Sequence, residues 1–275
     1  MRIFIGTLYT IENEYEECVQ SIHQQSFHNF DHFIFLYLPN KEAHYQLFKT
    51  FIDQCDKYDV LVKVDADMVL SRPTLFAEIV QELEANPWAE VFSIAVHDFF
   101  SDQLIWGLNA YRNTVRWNFD KDTLFVDRPD VPSGKYLTNN SDLAPAAFHC
   151  INPSPYQAFH FGVHRGLKVI QPGQTEQNES TSKSHFWTME STWLHFLRKG
   201  DVKLGLASVA AELAYQNKFI ADDLNYSNPR MIQILENYLR MTRRRLELEI
   251  RKLRILNFSF LPSSRRRRIL RSIYR

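Results

Sequence analysis

Asp65 and Asp67 stand one residue apart at the end of an apolar run, residues 60–64, that has Lys63 inside it. On an extended chain residues i and i+2 face the same way, so the two carboxylates converge on one spot. Two charges that close repel, and neither is readily left unpaired beside an apolar core. A divalent cation resolves the conflict. Mg2+ and Mn2+ take oxygen ligands, often a protein carboxylate or two plus substrate phosphates. The other reading is a strand that ends in an acidic turn, with both aspartates solvated. Lys63 faces the same way as Asp65. It reads equally as a phosphate contact and as an alkyl stem packed along a sheet.

A second cluster lies in residues 156–170. On a helix His160, His164 and Lys168 share one face at i, i+4 and i+8, bordered by Gln157. Phe159, Val163, Leu167 and Ile170 form an apolar stripe beside it. Two histidines four apart can ligate a metal. The alternative is a pair of hydrogen-bonded histidines near the surface. His149 precedes a Pro-rich turn and ranks after these two.

The elements that position these residues can be read from periodicity. Residues 2–8, 31–38 and 59–64 read as strands, and residues 13–25, 41–55 and 73–85 as helices between and after them. Such alternation implies right-handed crossovers and a parallel sheet, whose ligands bind at the C-terminal ends of the strands. Thr7, Tyr9 and the aspartate pair fall at such ends. Residues 90–97 and 103–111 read as further strands, 112–140 as an irregular loop and 144–150 as a short strand. Ser154 and Pro155 mark the start of a helix running to residue 170. Residues 171–184 read as a polar loop, 184–199 and 202–217 as helices, and 229–256 as one long cationic helix with a tail after it. The spacing thus divides the chain into a sheet-based domain (1–175), a helical subregion (176–228) and a basic extension (229–275).

Composition bounds the class. Hydrophobic residues make up 45% of 275, enough for a sizeable core, which excludes a disordered chain. Three scattered cysteines, Cys18, Cys55 and Cys150, odd in number, suggest a reducing compartment and no zinc or disulfide framework. With no signal-peptide pattern and no run near membrane-span length, a cytoplasmic catalytic part is expected. A net charge of zero hides an asymmetry: residues 229–275 carry 14 Lys and Arg against 3 Asp and Glu. Arginines there alternate with apolar residues from Leu246 to Leu261. That pattern fits a helix lying on an anionic membrane surface through 240–275, or a helix packed on the domain with a solvated basic face. No nucleic-acid-binding motif accompanies it.

The chain resembles the nucleotide-sugar glycosyltransferases of the GT-A fold, specifically the family 2 group. Gly6-Thr7-Leu8-Tyr9 closes the first strand. An acidic stretch, Glu12 to Glu17, then runs into Cys18-Val-Gln-Ser-Ile-His-Gln-Gln-Ser-Phe-His-Asn-Phe-Asp31. Val62-Lys-Val-Asp-Ala-Asp-Met-Val-Leu-Ser-Arg-Pro73 is similar to the family's apolar strand, D-A-D and helix. The resemblance covers roughly residues 2 to 90. It implies a GT-A domain, a central mostly parallel sheet with flanking helices, that binds a nucleotide diphosphate sugar. It also implies Mn2+ or Mg2+ bridging the two phosphates. Asp67 would coordinate the metal directly, Asp65 the ribose or the metal through water, and His160 would add a ligand. Thr7, Tyr9, Glu12, Lys63, His164 and Lys168 would line the donor. The acceptor would be a saccharide or a lipid-linked saccharide, as in surface glycan assembly. For the general base, which must reach the acceptor hydroxyl, Asp98 just past a strand end comes first and Asp142 second, ahead of Asp102 and Glu190.

Two departures stand out. The place where many relatives carry an acidic run after the second strand reads Tyr37-Leu-Pro-Asn-Lys41, and the later Glu-Asp pair has no clear copy. A sugar-phosphate nucleotidyltransferase would share the architecture, but the Gly-rich loop with its basic residues is missing after the first strand. A non-catalytic protein built around the basic tail is the remaining alternative.

Overall fold

A computed structural model describes residues 1–117, 124–126, 129–139, 144–170, 176–226 and 228–257. The chain forms two compact units, Met1–Pro153 and Ser154–Arg275. The break lies earlier than the expected boundary at 175, because the helix after Pro153 packs among helices.

The first unit is α/β. Its elements are β1 (Ile3–Tyr9), α1 (Tyr15–His23), β2 (Phe30–Leu36), α2 (Asn40–Ile52), β3 (Val60–Lys63), β4 (Met68–Leu70), α3 (Leu75–Ala85), β5 (Val91–Asp98), β6 (Gln103–Arg112), β7 (Tyr136–Asn139) and β8 (Ala147–His149). They make one sheet in the order β2-β1-β3-β6-β5-β8-β4, with β7 also paired to β5. Pairing is parallel across β2-β1-β3, antiparallel through β6, and parallel from β5 to β7 and β8. Alternation along each strand feeds a core on both faces. Ile3, Ile5, Val60, Val62 and Val64 meet Cys18 and Ile22 of α1 and Leu75, Phe76 and Ile79 of α3. Phe4 and Leu61 meet Leu47, Phe48 and Phe51 of α2. At Gly6 α2 packs tightly on the sheet: a Cβ there would fall 2.0 Å from Leu47 Cδ1.

Two short strands depart from the expected outline. The aspartate pair does not lead directly into a helix: β4 intervenes and pairs antiparallel with β8, Met68 opposite His149. Part of the expected irregular stretch, 136–139, is β7, parallel to β5.

The second unit is helical: α4 (Pro155–Ile170), α5 (Glu176–Lys199), α6 (Val202–Tyr215), a 3-10 turn (Ala221–Leu224), α7 (Pro229–Leu239) and α8 (Arg243–Asn257). Ser154 caps α4, its Oγ accepting from the Gln157 backbone N–H at 3.1 Å while Gln157 Oε1 accepts from Ser154 N–H. Every residue of α6 from Leu204 to Tyr215 is buried, so this helix is the unit's centre. Gly162 and Gly166 of α4 sit against it. A Cβ at Gly162 would lie 2.0 Å from the Ala207 carbonyl oxygen, and one at Gly166 2.7 Å from Ala214 Cβ. Small residues on both helices permit this approach.

Helix α5 starts at Glu176, inside what reads from sequence as a polar loop. The expected long cationic helix is two, broken at 240–242, where the Thr242 carbonyl accepts from the Leu246 backbone N–H to start α8. Leu246, Ile250 and Leu253 of α8 are buried. Arg254, 3% exposed, forms a bidentate pair with Glu190 at 2.8 Å and a second with Glu212 at 3.2 Å. Leu246, Ile250 and Leu253 of the stripe expected to face a membrane are thus spent on the fold, while Leu248, Ile255 and Leu256 are exposed, and Glu190 is an ion-pair partner rather than a candidate base. Residues 258–275, with the rest of the expected membrane segment, lie outside the described residues. Among the described residues no helix is long and apolar enough to cross a membrane.

Candidate active site

The site of the first unit is built where β3 ends. Beyond Lys63 the chain stays tied to β1, Val64 N–H donating to the Gly6 carbonyl and Ala66 N–H to the Leu8 carbonyl. A turn closed by Met68 N–H on the Asp65 carbonyl then reverses the chain into β4. The β4–β8 ladder brings His149 and Cys150 beside Asp67, and Cys150 N–H donates to the Asp67 carbonyl at 2.8 Å.

The two aspartates are handled differently. Asp65 pairs with the buried Lys63, whose Nζ lies 2.6 Å from Oδ1 and 2.8 Å from Oδ2. Lys63 is therefore the counter-ion of Asp65 rather than only a packed stem. Asp67 Oδ2 faces His149 Nε2 at 3.4 Å and accepts from Cys150 Sγ at 3.2 Å. Asp67 Oδ1 is shut off from water and has no hydrogen-bond partner among the described residues. Behind His149 stands Asp98. Its Oδ1 accepts from His149 Nδ1 at 2.7 Å, and its Oδ2 accepts from the backbone N–H and hydroxyl of Ser101 at 2.7 and 2.6 Å.

This order, carboxylate to imidazole to carboxylate, sets the electrostatics. Burial pushes Asp67 up, but the imidazolium of His149, Cys150 and Lys63 outweigh it and hold the carboxyl at about 2. Burial likewise opposes ionisation of Asp98, and the His149 and Ser101 hydrogen bonds more than offset it. Burial disfavours the His149 cation, yet the negative groups around it raise its pKa well above the ordinary value. Burial and the Asp67 charge push the Cys150 thiol well up. Without a cation, then, His149 holds a proton between two carboxylates. A divalent metal can take the place of the Nε2 proton. Asp67, His149 and Cys150 each offer a donor atom, all within 4.8 Å of one another. A carboxylate that fixes the other ring nitrogen is the usual support for a metal-binding imidazole. The orphaned Oδ1 and this donor set fit a divalent cation.

Cys150, His149 and Asp98 also stand in the order used by cysteine nucleophiles. That role needs a lowered thiol pKa and access. Cys150 is 3% exposed and its pKa moves the other way.

The remaining candidates fall in several places. Asp98, expected as general base, is fully buried with both oxygens engaged, so it positions His149 instead. Asp142 lies outside the described residues. Asp102 is exposed beside His97, 3.7 Å away. Thr7, expected to line the donor, is buried and shares a 2.9 Å hydrogen bond with His32 Nε2. Glu12 Oε2 accepts from the backbone N–H groups of Thr10 and Ile11, holding the turn after β1. Tyr9 stacks on Tyr15, ring centroids 3.9 Å apart, with the exposed Tyr37 ring at 5.6 Å. His160, His164 and Lys168 belong to the second unit. His160 Nε2 donates to the Leu224 carbonyl at 2.9 Å and its ring stacks on Tyr226, so that nitrogen is no metal ligand. Burial, then Lys168 and His160, press the His164 pKa well below its ordinary value, leaving the ring neutral. Lys168 is buried. Of the expected metal set, Asp67 stands in the cluster, Asp65 lies two residues before it on Lys63, and His149 rather than His160 is the histidine beside Asp67. The signal for it was small: adjacent His and Cys, two ligating residue types, at the end of a three-residue strand.

No protein-family model matches the sequence, and no curated protein matches it. Among solved structures the chain is similar to A197 from STIV, at 11% identity and a TM-score of 0.37, over 51% of this chain and 83% of that one. A second is the mannosyltransferase PcManGT from Pyrobaculum calidifontis in complex with GDP-Man and Mn2+. It shares 11% identity at a TM-score of 0.41, over 93% of this chain and 86% of that one. The third is the glycosyltransferase GlyE of Streptococcus pneumoniae TIGR4, at 10% identity and 0.31, over 73% and 64%. Two of the three are glycosyltransferases. Identity this low carries no residue assignments.

Proposed function

We propose that the chain is a metal-dependent glycosyltransferase that moves a sugar from a nucleotide diphosphate donor to a hydroxyl of a saccharide or lipid-linked acceptor. The observation that carries this reading is Asp67 in the turn between β3 and β4, with one oxygen unpaired and His149, oriented by Asp98, beside the other. It supports a cation site where a parallel α/β sheet places its ligands. The sequence resemblance over roughly residues 2 to 90 supplies the donor class, and Mn2+ or Mg2+ as the cation.

Asp67 and His149 would hold the metal, with Asp65 near it. A bound divalent cation there would neutralise the charge that builds on the leaving diphosphate. The chain's own groups do the rest. Lys63 holds the Asp65 carboxylate in place. Asp98 holds the His149 ring so that Nε2 points at Asp67. Tyr9, Tyr15 and Tyr37 form an aromatic patch at the ends of β1 and β2, where the acidic run of many relatives is missing, and can stack on a nucleobase.

The test is a thermal-shift screen of nucleoside diphosphates with and without metal, followed by sugar-transfer assays on any pair that stabilises. Asp67→Ala is expected to keep the fold, lose the metal-dependent shift and abolish transfer. Full transfer in the variant, or transfer unchanged by EDTA, would end this reading.

A further inference from the structure

Cys150 is the donor of this cluster that sugar transfer leaves without a task. Its Sγ lies 3.2 Å from Asp67 Oδ2 and 3.5 Å from His149 Nε2. Three further observations point to a ligand there. Asp67 Oδ1 is buried and accepts no hydrogen bond among the described residues. His149 Nδ1 is engaged by Asp98, which leaves Nε2 as the ring's ligating nitrogen. Cys150 has φ of 53°, a left-handed conformation in which glycine is the natural occupant. Strain of this kind collects at functional sites, and here the chain keeps a thiol at the strained position.

We propose that Cys150 is a third protein ligand, bound as thiolate, of the metal held by Asp67 and His149, and that it makes the site prefer Zn2+ or Co2+ to Mn2+ and to Mg2+. Soft sulfur ligands favour zinc-like cations, whereas Mg2+ seeks oxygen. A Cys, a His and a carboxylate form a three-residue set of the kind that keeps a coordination position open in catalytic zinc sites. As the metal binds, the Cys150 S–H proton and the His149 Nε2 proton both leave to solvent, and no electron is exchanged. The inference rests on the metal site described above and not on the identity of the donor sugar.

The test uses the full chain, reduced and stripped with chelator, then titrated with Co2+. A thiolate-to-cobalt charge-transfer band in the near ultraviolet is expected, saturating at one equivalent. Cys150→Gly, which suits the left-handed backbone, and Cys150→Ser are both expected to lose the band and to bind Co2+ about tenfold or more weakly. A Cys18→Ala/Cys55→Ala double variant leaves Cys150 untouched and must keep the band, so the assignment does not depend on the Cys150 variants folding. Equimolar Zn2+ should displace Co2+, and a roughly 100-fold excess of Mg2+ should not. The proposal is overturned by Co2+ binding without the band, by a band that survives in Cys150→Gly, or by Mg2+ displacing Co2+ at equal concentration. A band in a protein that transfers no sugar leaves the ligand standing and removes the transferase reading.

Discussion

Replacing Asp98 by Asn separates two jobs that a buried carboxylate near a metal could do. The amide fills the same space and can still accept from His149 Nδ1, but it carries no charge. In the wild-type protein Asp98 holds the imidazole with a 2.7 Å bond and is itself held by Ser101. Removing such outer support costs about 10- to 100-fold in metal affinity. At a metal concentration near 100 times the wild-type Kd, binding adds about 2.7 kcal/mol of stability. With Kd ten- to 100-fold weaker, the same concentration adds only about 1.4 to about 0.4 kcal/mol. The melting increment on adding metal should therefore fall to about half or less. Differential scanning fluorimetry at fixed Mn2+, with isothermal titration for Kd, reads this directly. If Asp98→Asn keeps the wild-type metal increment but loses turnover, Asp98 acts on the acceptor and the positioning argument is refuted.

Other outcomes follow from the same geometry. Gly162→Ala puts a methyl 2.0 Å from a backbone oxygen of α6 and should cost the second unit about 1–3 kcal/mol in urea unfolding. Arg254→Met strands Glu190 and Glu212, and a loss of about 3–5 kcal/mol is expected; a loss under about 1 kcal/mol would show that the buried pair is not formed. Two carboxylates facing one guanidinium cannot both be neutralised by it, and burial raises Glu212 to about 7. A carboxyl raised in the folded state contributes stability that is full below its unfolded pKa and lost as pH rises through about 7. Relative to Glu212→Gln, wild-type stability should thus decline between about pH 4.5 and 7, at up to about 1.4 kcal/mol per pH unit, and stay flat above.

The frame of the first unit was legible because its strands are apolar and its helices periodic. Residues 2–8 and 59–64 could hardly be anything but buried strands, and the aspartate pair falls at the end of one. What was not legible has physical causes. Strands β4 and β8 are three residues each, too short for a period of two to show. Their pairing, which delivers His149 to Asp67, is a long-range contact with no local signature. His160 and His164 drew attention by helical spacing, but spacing alone does not reveal that Leu224 would occupy one nitrogen. The first turns of α5, Glu-Gln-Asn-Glu-Ser-Thr-Ser-Lys, carry no apolar stripe and so resemble a loop. The burial of Arg254 on the basic C-terminal helix was not legible because its partners, Glu190 and Glu212, lie 64 and 42 residues away in sequence.

The ladder that joins β4 to β8 has a consequence for assembly. Asp67 and Cys150 are 83 residues apart, and only three residue pairs staple their strands together. Closing a loop of that length carries an entropic cost that a few backbone hydrogen bonds repay weakly. A cation gripping both ends would act as a clasp on that loop. A chain still being synthesised cannot form the site until His149 and Cys150 have emerged and docked. Capture of a metal there would be a late event in folding, and one that slows the reopening of β8. Depleting the metal would first loosen the sheet's β8–β4 margin, and hydrogen exchange at Met68, Leu70 and Cys150 would register it before the centre of the sheet moved.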